Sequence, residues 1–149
     1  MEDPRPQLQA ALKEAMKNKD AQRRDVIRTV MSAFKQVEID SKKELSADDA
    51  VAVLQKEAKV RREGIDEKIN AGMEEQAERE QFELSVIEEF MPQQLSEDEI
   101  RAIVQEVIES VGAESPKDMG KVMGPLMGRV KGLADGKLVN QIVRDALSG

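Results

Sequence analysis

Neither cysteine nor histidine occurs in the chain. Their absence removes thiol nucleophiles, disulfides, tetrahedral zinc sites, imidazole bases and every Ser–His or Cys–His dyad. Tryptophan and tyrosine are also missing, and three phenylalanines bring the aromatic share to only 2%. With few β-branched runs beside them, sheet sandwiches and barrels are poor candidates. No apolar run approaches the length of a membrane span, and the acidic opening Met1-Glu-Asp-Pro-Arg-Pro6 has neither the basic nor the apolar part of a signal peptide. The expectation is a soluble, cytoplasmic protein with no membrane partner.

What is present is charge and helical period. Of the 149 residues, 40% are apolar and 36% charged, with a net charge of −7. That length suits one domain or two small ones and can bury a real core. Apolar residues recur regularly, so the charge belongs to exposed helix faces rather than to disorder. The net negative charge argues against indiscriminate nucleic-acid binding, although a local basic patch acts within a Debye length of roughly 8–10 Å.

The periodicity predicts an all-α protein of seven helical segments. Leu8, Leu12, Ala15 and Met16 give a short first helix, and Asp20 is an N-cap for a second that carries Val26, Ile27, Val30, Met31, Phe34 and Val37. Ser46 with Asp49 opens a third as a capping box. Its thin stripe of Val51, Leu54, Ala58, Ile65 and Ile69 is broken by Gly64 and Arg61-Arg62, which predicts a helix projecting from the core over part of its length, with Gly72 after its end. A fourth, with Phe82, Val86, Ile87, Phe90 and Met91, should stop at Met91-Pro92. There we place a boundary between an N-terminal helical subdomain, residues 1–92, and a C-terminal three-helix subdomain, residues 93–149. Ser96 and Glu99 form a second capping box, before Ile100, Ile103, Val104, Val107, Ile108 and Val111, and Gly112 closes that helix. Ser115-Pro116 is predicted as N-cap and first residue of a sixth helix, with Asp118 in its first turn and a kink at Pro125. A last helix begins near Asp135.

Charge is uneven in the second part. Glu97 to Glu114 holds six acids and one base, whereas Lys117 to Lys137 holds five bases and two acids, a net +3. On the sixth helix Gly120, Gly124 and Gly128 form a stripe beside Lys117, Lys121 and Lys131. Three glycines in a helix cost roughly 0.8–1.0 kcal/mol each relative to Ala, so something should compensate. Spacing alone favours close packing against another backbone. The alternative is a side-chain-free face on which a nucleic-acid backbone reaches the main chain. A second basic stripe, Arg24, Arg28 and Lys35, lies beside the apolar face of the second helix, with Lys13, Lys17 and Lys19 ahead of it. Solubility is its simpler reading and phosphate contact the alternative. Arg61-Arg62, between Glu57 and Glu63, is read as intrahelical pairing.

The run Asp118-Met-Gly-Lys-Val-Met-Gly-Pro-Leu-Met-Gly-Arg-Val-Lys-Gly-Leu-Ala-Asp-Gly-Lys-Leu-Val-Asn140 closely resembles the signature of the GatB/YqeY family. Ala15 to Asp20, Val26-Ile-Arg28 and Glu88-Glu-Phe-Met-Pro-Gln-Gln-Leu-Ser96 are similar to the free-standing members of that family. The resemblance implies a two-part helical fold whose second part is similar to the tail domain of the B subunit of the tRNA-dependent glutamine amidotransferase, a domain that contacts tRNA. Carried over residue by residue, the resemblance and the basic patch together give Lys117, Lys121, Gly124, Lys131, Gly132, Asp135, Gly136 and Asn140 as tRNA-facing residues. Where many relatives carry a basic residue in the turn, this chain has Leu133. Structural roles stand beside these: Asp135 as N-cap, Gly136 for backbone freedom, Asn140 as a hydrogen-bonding group that fixes the turn.

Two functions follow as expectations. The first is a tRNA-binding accessory module linked to glutamine-dependent tRNA amidation or aminoacylation, with tRNA and an aminoacyl-tRNA synthetase or amidotransferase as partners. Such family members carry the label carbon–nitrogen ligase with glutamine as amido donor. The amidase centre and the phosphorylating part of that enzyme have no counterpart in this chain, and Ser85 and Ser110 sit in helical stretches without a glycine-rich oxyanion loop. No catalytic residue, cofactor or metal is therefore assigned. The second is a helical protein–protein adaptor that docks a partner helix on its glycine stripe.

Overall fold

A computed structural model of the chain describes residues 2–149. It is all-α: seven α-helices and one 3-10 turn, with no strand among the described residues. The chain divides into two compact units, one ending at Pro92 and the other Gln93–Gly149.

The first unit holds α1 (Arg5–Lys17), α2 (Ala21–Ser41), α3 (Ala47–Asn70) and α4 (Glu74–Glu89). Asp20 caps α2 by accepting from the Arg23 N–H, and Ser46 with Asp49 forms the full reciprocal box on α3. Their apolar stripes meet in a core containing Leu8, Ile27, Val30, Phe34, Leu54 and Ile87. The α3 helix does not project alone, as its thin stripe suggested. Its second half lies antiparallel to α4, with Lys68 Nζ 2.7 Å from Glu80 Oε1 and Arg61 shared between Glu57 of its own helix and Glu83 of α4. The intrahelical pairing expected of Arg61 is present, and the cross-helix partner is an addition. Gly64 also gains a reason: a Cβ there would collide with the Glu80 carboxylate, so its bare backbone makes room for the α3–α4 ion pair. Met16, Val37, Ile69 and Phe82, assigned to apolar faces, remain exposed. Met16 and Ile69 lie in the last turns of their helices, Val37 borders an open pocket with Ala52 and Val53 of α3, and Phe82 borders an open cleft with Val26 and Arg61.

The second unit holds α5 (Glu97–Val111), the 3-10 turn Pro116–Asp118, α6 (Met119–Val130) and α7 (Gly136–Ser148). Ser96 and Glu99 form the capping box, and Gly112 ends α5 in the left-handed region at φ 68°. Ile100, Val104, Val122, Leu126, Val130, Val139 and Val143 are buried together, with Met119 and Met123 half-buried around them. One boundary differs from expectation. Ser115 makes no side-chain cap, and Pro116 opens the 3-10 turn rather than α6. The cause is Asp118, whose carboxylate folds back to accept from the Glu114 N–H at 2.9 Å and so tightens this turn ahead of the helix. The α6 helix continues through Pro125.

Candidate functional site

In the second unit, α6, the segment 131–135 after it and the start of α7 carry the residues singled out from sequence. The inward arc of α6 is Val122, Leu126 and Val130, with the methionines beside them. Its outward arc is Gly120, Lys121, Gly124, Pro125, Gly128 and Arg129, all exposed. A Cβ added at any of the three glycines would meet nothing within 4 Å. The stripe is therefore not a packing stripe for another element of its own unit, contrary to what its spacing favoured. Pro125 adds to the bareness of this face, since it has no N–H for the Lys121 carbonyl four residues back.

The lysines frame this face. Lys117 is exposed in the 3-10 turn, Lys121 on the helix itself and Lys131 at its C-terminal end, so together they span α6, about 18 Å at 1.5 Å per residue. They are not equivalent electrostatically. Lys121 Nζ lies 3.7 Å from Asp118 Oδ1, and Arg129 lies 2.9 Å from Glu106. The Glu114 backbone N–H, with help from Ser115 and Lys121, holds the Asp118 carboxyl below the usual carboxylate range, so it is ionised at neutral pH and offsets part of the Lys121 charge. Lys117, Lys131 and Lys137 have no ion-pair partner among the described residues.

The turn after α6 is built from inside the unit. Gly132 is buried with φ 80°, a conformation that side chains disfavour. Its carbonyl accepts from Gln94 Nε2 at 3.0 Å, and the Leu133 carbonyl accepts from the Leu95 N–H at 2.8 Å. Gly132 is thus placed as a structural pivot, whereas Leu133, the departure from the family pattern, is half-buried. Asp135 is the N-cap of α7, its carboxylate accepting from the Lys137 N–H at 3.3 Å. Gly136 opens α7 with free space where a Cβ would stand. Asn140 is half-buried one turn further on, and its side-chain amide makes no hydrogen bond among the described residues, so it does not fix the turn. The structure therefore gathers Lys117, Lys121, Gly124 and Lys131 along α6, and Gly136 with Asn140 on one line of α7, while Gly132 and Asp135 hold the turn between them.

Three residues escaped the sequence reading. Arg144 lies exposed one turn beyond Asn140, continuing the line from Gly136; the i, i+4 spacing carried that signal. Gln94 and Leu95 anchor the turn from 38 residues away. Periodicity holds no trace of such a contact.

The family model described as Yqey-like protein matches residues 5–147. The chain belongs to this YqeY-like family. Its match runs through both units and takes in the junction at Gln94-Leu95 together with the glycine helix and its turn. No curated protein matches the chain. Among the described residues no helix is long and apolar enough to cross a membrane, and no group of three or more acidic residues is placed to hold a metal ion.

Proposed function

We propose that this YqeY-like protein is a tRNA-binding accessory module acting beside glutamine-dependent tRNA amidation or aminoacylation, in company with a synthetase or amidotransferase, and that its second unit carries the contact. The observation that supports this most is the outward face of α6: three glycines with open space over them, framed by Lys117, Lys121 and Lys131. Helix-breaking glycines that pack against nothing in their own unit are kept at a cost in helix stability, and a nearly bare main chain between cations suits the approach of a phosphate backbone. The turn from Gly132 to Gly136 sets the orientation of α7 against that face, with Asn140 free to meet a nucleotide.

The experiment is a titration of labelled tRNA into the full chain over a salt series. Contact with about three to five phosphates gives a slope of log K against log salt of roughly −2 to −4. Charge reversal of Lys117, Lys121 and Lys131 to Glu together should abolish binding and leave the helical signal intact, since all three are exposed. Equal binding by that triple variant, or none by the wild type at low salt, removes the reading. The same open stripe also favours a second one, a protein adaptor on whose bare face a partner helix packs closely; salt-insensitive association with a protein and no tRNA binding would select it.

A further inference from the structure

Outside this face, a groove of the first unit lies between α1 and α2, with a volume of about 510 Å³. Its floor is apolar: Leu8 and Phe34 are buried beneath it, and Leu12 and Met31 are half-buried and reach its surface. Its rim carries Arg28 and Lys35. The other charged groups on the groove are already engaged. Arg5 is paired with Asp3 and donates to the Leu45 carbonyl, while Glu38 accepts from the Leu45 N–H at 3.2 Å. Arg28 and Lys35 have no carboxylate partner among the described residues; the Arg28 guanidinium donates to the Met16 sulfur at 3.8 Å. The lining holds three cations, Arg5, Arg28 and Lys35, against one carboxylate, Glu38, a local positive excess beside an open apolar floor in a chain of net charge −7.

We propose that this groove docks an acidic amphipathic helix of a partner protein. A trough between two packed helices accepts a third along its length, its apolar stripe on Leu12 and Met31. Arg28 and Lys35 are seven residues apart on α2, about 10.5 Å along its axis, so they meet carboxylates two turns apart on a helix lying alongside. The floor fits a nucleic acid poorly. It offers aliphatic and thioether groups where phosphates need donors, and its one aromatic, Phe34, is buried and presents no face to a base. The inference stands apart from the tRNA reading, because it uses none of the residues of the second unit.

The test is fluorescence anisotropy of a labelled synthetic amphipathic peptide, about 20 residues or 30 Å long, with Leu on one face and Glu flanking it, against the full chain. A control peptide replaces every Glu with Lys. The acidic peptide should bind saturably, the Lys peptide about tenfold more weakly, and Arg28→Glu/Lys35→Glu should lower the affinity for the acidic peptide about tenfold with unchanged helicity. Met31→Gln should weaken both peptides; if it also lowers thermal stability, the double charge variant, confined to exposed residues, decides alone. No saturable binding of the acidic peptide, equal affinity for the two peptides, or indifference to the double variant overturns the proposal. A single-stranded oligoribonucleotide that binds in place of the acidic peptide and is lost in the double variant overturns it too, in favour of RNA.

Discussion

The side-chain amide of Gln94 donates a hydrogen bond to the backbone carbonyl of Gly132, 3.0 Å away and 38 residues later in the chain. With the bond from the Leu95 N–H to the Leu133 carbonyl beside it, two consecutive residues ahead of α5 hold two consecutive residues after α6. The pairing fixes the buried turn where α6 hands over to α7, at a glycine whose φ of 80° few residues tolerate.

Gln94→Ala should therefore cost about 1 kcal/mol, the net worth of one half-buried hydrogen bond plus the orphaned carbonyl. Gly132→Ala should cost at least as much, about 1–2 kcal/mol, because its penalty comes from φ rather than from a lost partner. Combining the two should give less than the sum, since both act on one turn. Urea unfolding followed by circular dichroism measures all three; with no tryptophan or tyrosine in the chain, intrinsic fluorescence is of little use.

This contact marks where sequence reading stops. The helices were legible because burial imposes a 3.6-residue period: Ile100, Val104, Val107 and Val111, or Val139, Ile142 and Val143, announce their inward faces by spacing alone. Caps were legible because Ser46, Ser96 and Asp135 act on N–H groups two or three residues away. Gln94 with Gly132, Gly64 with Glu80 and Arg61 with Glu83 join separate elements, and no local rule encodes such pairs. The glycine stripe shows the opposite failure. Its spacing is equally suited to a packed interface and to an open face, and only the empty space over Gly120, Gly124 and Gly128 distinguishes them.

That empty space has a measurable consequence. Gly120→Ala, Gly124→Ala and Gly128→Ala should each stabilise the protein by up to about 0.8–1.0 kcal/mol, because the added methyl touches nothing and the helix gains propensity. Gly64→Ala gains the same propensity but pushes the Glu80 carboxylate off Lys68, so its net change should be near zero or negative. Gly112→Ala, at φ 68°, should destabilise. Thermal melts of the five variants test the pattern, and a destabilised Gly124→Ala would return the stripe to a packing role. Loss of tRNA affinity alongside gained stability at position 124 would identify a glycine held for function.

Stability should be flat between about pH 6 and pH 8, because the chain has no histidine to titrate there. It should fall in acid. The Arg5 side chain, hydrogen-bonded to Asp3, holds that carboxyl below its usual range, and the Glu114 N–H does the same for Asp118. A carboxyl whose pKa is lowered by folding adds stability that is fully present above its unfolded value, about 3.9, and is lost as pH falls through the lower folded one. Asp3→Asn should make the acid limb shallower while lowering stability at neutral pH. Denaturation midpoints across pH 2–8 check both signs, and an unchanged limb would show that this pair does not contribute.

The second unit should fold by itself if its first residues are kept. Its buried side chains, from Ile100 to Leu147, form a core of their own, and the two tethers to the turn start at Gln94 and Leu95. A fragment of this size rarely has more than about 3–5 kcal/mol of stability, so each tether is a large share of the total. A fragment of residues 93–149 should thus show a cooperative melt, whereas one of residues 96–149 loses both bonds and the half-buried Leu95 side chain. The loss of about 2 kcal/mol should lower its Tm by roughly 10 °C or leave it partly unfolded at room temperature. Adding Gly124→Ala to the shorter fragment should recover about half the difference, since it acts on α6 independently of the turn. Circular dichroism melts of the three fragments decide it. Equal melting of the two lengths would mean that the Gln94–Gly132 and Leu95–Leu133 bonds merely accompany the fold, and a longer fragment that fails to fold at all would make the core dependent on the first unit.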